Sequence, residues 1–268
     1  MNNQTILTLR YRLKSYLKYL LKARHYKGFG IHSPFVFNLV RELIYETHPF
    51  YAFTRIDAAR RMLKRTNHQV GLQTFGAVSV KNKASGKVKH LVSRNSIPLK
   101  YGRLMFRLIN YFKAREIVEI GTGIGLGTLF LALPDSGGRI TTIDGNPELC
   151  SLAGGLFEVV GVENARVVNG QFREELPGVL SNLEKLDFVF FDGDHRMGPT
   201  LQYFEMCLAK IHNDTIFVFD DIHWSREMEQ AWGTIVEHPL VRVSIDLYRV
   251  GIVFFRKECT KQHYVVWF

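Results

Sequence analysis

Glycines and acidic side chains follow several short apolar segments in the C-terminal two thirds of the chain. The first segment, residues 117–120, is followed by Gly121-Thr122-Gly123-Ile124-Gly125-Leu126-Gly127. Glycines at a turn from a strand to a helix let a ligand approach the backbone, and the helix start offers free N–H groups. Asp144 ends the second segment, 19 positions beyond Gly125, where a carboxylate can accept hydrogen bonds from a ribose diol. Together they predict a site for an adenosine-containing cofactor.

A second group of candidate residues follows the fourth and fifth apolar segments. Asp192 comes after residues 187–191 with His195 three positions later, and Asp220 and Asp221 come after residues 215–219. Ligands gather beyond the carboxyl ends of parallel strands, so these side chains should face the glycine turn. Converging carboxylates repel one another unless a cation or protons intervene, and oxygen ligands suit Mg²⁺ or another hard divalent cation. His195 could take a proton from a hydroxyl group, because imidazole titrates in the useful pH range.

The sequence predicts that the elements which position these residues form an α/β fold. Helical stretches alternate with β-rich segments at 117–120, 139–143, 166–168, 187–191 and 215–219, which predicts a parallel sheet built from βαβ units. Two further segments, 241–248 and 251–256, are joined by a connection too short for a parallel crossover. The sequence therefore predicts seven strands in a mostly parallel sheet that ends in an antiparallel hairpin.

These features resemble the class I S-adenosylmethionine-dependent methyltransferases, in particular the catechol O-methyltransferase-like enzymes and their bacterial relatives. The resemblance is carried by residues 119–127, by Asp144-Gly145-Asn146-Pro147 and by the terminal hairpin, and it covers about residues 96–256. The dinucleotide pattern GxGxxG would need glycine at position 126, where the chain has leucine, so a nicotinamide cofactor is disfavoured. The resemblance implies a Rossmann-like domain over residues 96–268 that binds S-adenosylmethionine and methylates a small or sugar-like hydroxylated acceptor.

The resemblance also implies roles for individual residues. The family has asparagine where this chain has Asp221, and His195 stands where relatives carry a lysine or, in some bacterial branches, a histidine that acts as the base. His223 and Trp224 could line an acceptor pocket or simply pack. The family pattern places the methionine part of the cofactor at Glu119, Gly121 and Gly125, the ribose at Asp144 and the adenine beside Gln171 and Phe172, and further cofactor-binding residues are predicted at Thr122, Gly123, Asn146 and Asp192. The resemblance also places the reacting groups at Asp192 and His195, and a divalent cation such as Mg²⁺ at Asp192, Asp220 and Asp221.

The net charge of +10 is distributed unevenly along the 268 residues. Up to residue 115 there are 23 Lys and Arg against three Asp and Glu, whereas the remainder has 12 against 22. The basic part could dock on the acidic part of the same chain, or it could meet an anionic partner, nucleic acid or a membrane surface. Residues 1–95 are predicted to be a basic, mainly helical region, in which residues 67–95, rich in Gly, Ser and Lys, form a mobile connection or lid.

A basic amphipathic helix is predicted near the N terminus, because apolar residues recur there at steps of three and four. Such a helix could pack internally, contact a second copy in a homodimer or lie on a membrane. Ser33 is predicted to cap a helix that begins at Pro34, Thr54 with Asp57 to start a second, and Ser96 to cap a third over residues 98–112. The apolar face comprises Ile6, Leu9, Leu13, Tyr16, Leu17 and Leu20, and the basic face Arg10, Lys14, Lys18 and Lys22.

Composition narrows the function classes. With 46% hydrophobic and 13% aromatic residues, the chain can form a packed core, and no apolar run is long enough to span a membrane. Three cysteines without a CxxC pair favour a reducing compartment such as the cytoplasm. Two alternatives to a small-molecule enzyme stay open: an RNA or DNA methyltransferase that uses the basic region, and a peripheral-membrane or non-catalytic module with the same fold.

Overall fold

The computed structural model describes residues 3–71, 85–94 and 96–268, which form helices around a central sheet. The helices are α1 (Asn3–Lys22), α2 (Pro34–Leu39), α3 (Tyr51–Arg65), α4 (Val88–Arg94), α5 (Leu99–Phe112), α6 (Leu126–Ala132), α7 (Pro147–Val160), α8 (Phe172–Ser181), α9 (Met197–Leu208) and α10 (Arg226–Glu237). The strands are β1 (Gln69–Gly71), β2 (Ser85–Lys87), β3 (Glu116–Ile120), β4 (Arg139–Asp144), β5 (Ala165–Asn169), β6 (Leu186–Phe191), β7 (Ile211–Phe219), β8 (Val243–Asp246), β9 (Gly251–Phe254) and β10 (Gln262–Val265).

The central sheet has eight strands in the order β10-β8-β9-β7-β6-β3-β4-β5. Strands β3 to β7 are parallel, and β9 runs antiparallel to both β7 and β8, so the predicted mostly parallel sheet with a terminal antiparallel hairpin is confirmed. The predicted count of seven strands was wrong by one. Strand β10 pairs parallel with β8 at the sheet edge, and its short, mostly polar sequence gave no strand pattern.

Both faces of the sheet are covered. Every residue of β6 is buried, with Phe188 and Phe190 in one apolar cluster and Val189 and Phe191 in another. A parallel strand between two helical layers needs this continuous apolar sequence, because side chains on both of its faces leave water. The glycine turn and the acidic segments are therefore the polar ends of an otherwise apolar layer.

The N-terminal helices share the core of the sheet domain. Val36 and Ile56 belong to the same buried cluster as Leu104 and Phe188. The guanidinium of Arg107 is also buried, and its Nε donates to a backbone carbonyl of the N-terminal region at 2.8 Å. A boundary at residues 95 and 96 stays a prediction. Residues 72–84 and 95 of the predicted lid lie outside the described residues, and the described part contains β1, β2 and α4.

Of the three predicted helix starts, one is confirmed and two were wrong. Ser33 caps α2, accepting from the amide of Val36. Helix α3 begins before Thr54, and Asp57 pairs with Arg103 at 3.2 Å instead of capping the helix. Helix α5 follows Pro98, which is extended, and the hydroxyl of Ser96 has no hydrogen-bond partner among the residues that the structure describes.

Helix α1 docks on the C-terminal part of the chain through hydroxyl and charged groups. The Tyr11 hydroxyl donates to the Glu229 carboxylate, which also pairs with Lys18 Nζ at 3.1 Å. The buried Tyr19 hydroxyl donates to the carbonyl of Val266 at 2.6 Å. These contacts support internal docking of basic residues of α1 on the acidic part.

The leucine face of α1 points away from the protein. Leu13, Leu17 and Leu21 are 61%, 52% and 77% exposed. These exposures do not support internal packing of Leu13 and Leu17, two residues of the predicted apolar face, and contact of this face with a second copy or with a membrane stays a prediction. No helix among the described residues is long and apolar enough to cross a membrane.

Candidate active site

The glycine turn between β3 and α6 combines a tight backbone contact with an open face. Gly121 has φ of +109°, and a Cβ atom there would collide with the carbonyl oxygen of Asp192. A Cβ on Gly123 would meet no atom within 4 Å, and Gly125 in a left-handed conformation directly precedes α6. Glycine at these positions lets the turn approach the end of β6 and leaves room above it for a ligand.

Asp144 joins the glycine turn to the neighbouring strand. Its Oδ2 accepts from the amide of Gly123 at 2.8 Å and its Oδ1 from the amide of Asn146 at 2.9 Å. Burial raises the pKa of Asp144, and these two N–H bonds oppose that rise. Each carboxylate oxygen keeps a further lone pair, so the group can also accept from two hydroxyls of a diol.

Glu119 and Thr122 support the turn from inside the protein. Glu119 is 1% exposed, and its Oε2 accepts from the hydroxyls of Thr128 at 2.5 Å and Thr142 at 2.6 Å. The Thr142 hydroxyl also bonds to the buried Thr122 hydroxyl at 2.6 Å. Burial raises the pKa of Glu119 to about 7. The threonine bonds engage only Oε2, and Oε1 lies on the side of Gly127 at the start of α6, so the contact of Glu119 with the methionine part of the cofactor stays a prediction.

The side chain of Asn146 stabilises the start of helix α7. Its side-chain oxygen caps α7 by accepting from the amides of Glu148 and Leu149, and its Nδ2 donates to the carbonyl of Gly71 at 2.8 Å. The side chain is buried and both of its polar atoms are already bonded, and the part of Asn146 in cofactor binding stays a prediction.

Gln171 and Phe172 lie beside the strand ends. The amide of Gly170 donates to the carbonyl of Asp144 at 3.0 Å, which brings the following residues next to the end of β4. Gln171 is exposed, and the Phe172 ring borders Gly193, where a Cβ atom would lie 2.6 Å from the ring. The ring and the glycine turn thus flank the same end of β6.

The acidic residues converge at the ends of β6 and β7. The amide of Asp192 donates to the carbonyl of Ile120, and the amide of Asp220 donates to that of Phe191, both at 2.9 Å. His195 Nε2 is 3.6 Å from Asp192 Oδ1. The sheet register therefore brings the three predicted carboxylates and the predicted base together.

Arg249 enters this cluster and was missed by the sequence reasoning. Its Nε and Nη2 donate to the two carboxylate oxygens of Asp220 at 2.9 and 2.7 Å, and Nη2 is 3.5 Å from Asp221 Oδ1. The available signal was an arginine in the short connection between two apolar strands. Burial disfavours the charge of Arg249, but the bonds to Asp220 outweigh it and raise the pKa of Arg249.

Burial and electrostatic repulsion raise the pKa values of the other two carboxyl groups of the cluster. Burial and the charges of Asp220 and Asp221 raise the pKa of Asp192 well above its usual value. Burial and Asp220 also raise the pKa of Asp221 to about 6, against the lowering effect of Arg249, His195 and Arg12. The cluster therefore keeps excess negative charge low by protonation and by its own cations.

The predicted ligands do not fit a resident divalent cation. The Arg249 guanidinium bonds both oxygens of the fully buried Asp220 side chain and lies 3.5 Å from Asp221, so its positive charge would repel a divalent cation at these two carboxylates. Among the described residues, no group of three or more His, Cys, Asp or Glu side chains is arranged to hold a metal ion. The expected set of Asp192, Asp220 and Asp221 is corrected for this reason.

Helix α1 supplies a further side of the site. The Arg12 guanidinium carbon lies 3.0 Å from the centroid of the Trp224 ring, and Arg12 Nε donates to the Trp224 carbonyl at 3.4 Å. The charge of Arg12 acts on Asp221, so this stacked pair lies beside the acidic cluster. His223 instead packs inward, with Nε2 bonded to Asp246 Oδ2 at 2.8 Å.

Comparison with known proteins gives one family and several relatives. Residues 118–222 match a family model described as a methyltransferase domain. A caffeoyl-CoA O-methyltransferase of Populus kitakamiensis is 27% identical over 56% of this chain and 64% of its own length. Tricin synthase 2 of Oryza sativa subsp. japonica is 29% identical over 56% of this chain and 52% of its own. The chain thus spans less than two thirds of either relative.

Among solved structures, an O-methyltransferase from Bacillus cereus in complex with SAH shares the fold. It aligns with a TM-score of 0.58 at 17% identity, over 82% of this chain and 96% of that one.

Proposed function

The chain belongs to the class I S-adenosylmethionine-dependent methyltransferases, and we propose that it methylates a hydroxyl oxygen of a small or sugar-like acceptor. The observation that carries the proposal is the meeting of three parts at one sheet edge. These are the glycine turn that Asp144 holds open, the aromatic Phe172, and the pair of Asp192 and His195. The relative from Populus kitakamiensis that is named as an O-methyltransferase supports oxygen as the acceptor atom.

The residues of the turn fit an adenosine cofactor. Asp144 would accept from the two ribose hydroxyls, and the N–H groups at the start of α6 would face the carboxylate of the methionine part. Phe172 and Gln171 would border the adenine. When bound, S-adenosylmethionine would supply an electrophilic methyl group: the acceptor oxygen would attack the methyl carbon in line while the bond from that carbon to the sulfonium sulfur breaks and S-adenosylhomocysteine leaves.

His195 is the residue proposed to take the hydroxyl proton. Its Nε2 lies 3.6 Å from Asp192 Oδ1 at the carboxyl end of β6, beside the glycine turn, where an acceptor hydroxyl would approach the cofactor. Proton removal makes the acceptor oxygen a better nucleophile, and the buried surroundings of the strand ends would exclude water. Arg12 and Trp224 would form the outer wall that orients the acceptor.

The test combines cofactor binding with product formation. Calorimetry should detect binding of S-adenosylhomocysteine, and an assay for its release should find turnover with a catechol, a hydroxycinnamoyl thioester or a free sugar as acceptor. His195→Gln should keep cofactor binding and lose turnover. His212→Gln is the matched control. His212 also pairs with an aspartate, Asp187, at 2.8 Å, but this pair lies at the amino ends of β6 and β7, away from the site at their carboxyl ends. A protein that binds no S-adenosylhomocysteine would contradict the proposal.

We also propose that the outer face of α1 contacts an anionic lipid surface. Leu13, Leu17 and Leu21 lie exposed at helical spacing beside the exposed Lys14 and Lys22. Helix α1 contains no acidic residue, so a symmetric contact between two copies would bring lysines together, whereas anionic headgroups would neutralise them.

Vesicle sedimentation separates the possible partners of this face. The protein should sediment with vesicles that contain phosphatidylserine and not with neutral vesicles, and Leu17→Ser with Leu21→Ser should abolish the effect. A dimer that the same variant dissociates, or RNA binding in place of lipid binding, would contradict the lipid assignment.

A further inference from the structure

The acidic cluster receives its positive charge from a residue of the chain itself. Arg249 bonds both oxygens of Asp220 through Nε and Nη2, and the same Nη2 lies 3.5 Å from Asp221. A guanidinium is planar and presents its N–H groups as a fork that matches a carboxylate. One cation thus spans the two carboxylates that end β7.

The backbone also fixes Arg249 in this position. The amide of Ile222 donates to the Arg249 carbonyl at 3.1 Å, which joins the turn after β7 to the connection between β8 and β9. Tyr248, directly before it, adopts φ of +69°, and its amide donates to Asp246 Oδ1 at 2.7 Å. Withdrawal of the guanidinium would leave the buried Asp220 carboxylate unpaired, which is costly.

We propose that Arg249 is the resident cation of this active site and that methyl transfer by this protein requires no divalent metal ion. The inference rests on the proposed methyl transfer. The guanidinium holds Asp220 and Asp221 together, but it has no open coordination position for an acceptor oxygen. Removal of the hydroxyl proton therefore depends on His195, and Asp192 is left to face the imidazole rather than a metal ion.

Manganese binding tests the assignment independently of catalysis. Electron paramagnetic resonance of free Mn²⁺ should give the wild-type protein a Kd weaker than about 1 mM. Arg249→Met removes the counter-charge of three carboxylates, so its Mn²⁺ affinity should rise by at least about tenfold. Adding Asp220→Asn should abolish this gain. Arg256→Met is the matched control, because Arg256 pairs with two other acids, Asp214 and Glu258, outside the cluster.

Two results would overturn the proposal: tight stoichiometric Mn²⁺ binding by the wild-type protein, or a folded Arg249→Met protein whose Mn²⁺ affinity does not rise. If circular dichroism shows that Arg249→Met is unfolded, removal of metal ions from the wild-type protein by a chelator tests the proposal instead. Turnover in excess EDTA should stay within about twofold of the untreated rate, and a loss that Mg²⁺ restores would contradict the inference. Absent binding of S-adenosylhomocysteine would refute the methyl transfer instead, and the Mn²⁺ titrations would still decide the role of Arg249.

Discussion

Replacement of Asp144 by asparagine is the sharpest test of the cofactor assignment. The substitution keeps the size of the side chain but turns one of its two acceptor oxygens into an N–H donor. In the native structure, Oδ2 and Oδ1 accept from the amides of Gly123 and Asn146 at 2.8 and 2.9 Å. The variant can satisfy only one of these amides, and only one hydroxyl of a bound diol can donate to it.

The expected losses differ between binding and folding. A hydrogen bond to a charged group contributes about 1.5–3 kcal/mol, so loss of one ribose bond predicts roughly 10- to 100-fold weaker cofactor binding. Folding should lose less, about 1 kcal/mol, because the buried carboxylate already carries a desolvation penalty, which also raises the pKa of Asp144. The variant should therefore be folded and cofactor-deficient.

Isothermal titration with S-adenosylhomocysteine measures the first quantity, and urea unfolding measures the second. Asp135→Asn is the matched control, because Asp135 Oδ1 accepts from the Gly137 amide at 2.9 Å in a surface turn outside the site. It should leave cofactor affinity unchanged. An Asp144→Asn protein that binds S-adenosylhomocysteine within twofold of the wild type would refute the ribose assignment.

Three further predictions concern the turn and helix α1. Between pH 4.5 and about 7 the native state holds a proton on Glu119 that the unfolded state releases, so this group should lower the stability by about 3 kcal/mol as pH rises across the window; in urea titrations the change over this window should differ by that amount between the wild type and Glu119→Gln, while Asp221 with its raised pKa contributes in both. Gly121→Ala should lower the melting temperature because its methyl group meets the carbonyl of Asp192, whereas Gly123→Ala should stay folded and lose cofactor affinity, as calorimetry would show. Tyr11→Phe removes a hydrogen bond between α1 and α10, so trypsin should cleave α1 faster while the global unfolding midpoint stays close to that of the wild type.

The sequence predicted the sheet and the position of its polar end well, because these depend on local patterns. Apolar runs, glycines and the acid at position 144 are close in the chain, and the parallel order brings their ends together. The sequence left the partner of the apolar face of α1 open, and the structure turns Leu13 and Leu17 of that face to solvent for a physical reason. Hydrophobic periodicity takes account only of apolar residues such as leucine. Tyr11 and Tyr19 instead fix the helix by donating hydrogen bonds to acceptors more than 200 residues away in the sequence.

The role of the acidic cluster could not be read from its own residues, because a set of carboxylates does not reveal which cation balances it. The deciding group arrives through strand register. Phe219 pairs with Gly251 in the antiparallel contact of β7 and β9, and Asp246 pairs with Gly251 between β8 and β9. The connection at residues 247–250 is therefore forced to lie beside the turn that carries Asp220. A basic residue at this connection neutralises the cluster, whereas a neutral residue there would leave the same carboxylates free to bind a metal ion. Among proteins with these carboxylates, those with a basic residue at this position should therefore not need a metal ion for catalysis, whereas those with a neutral residue there should need one.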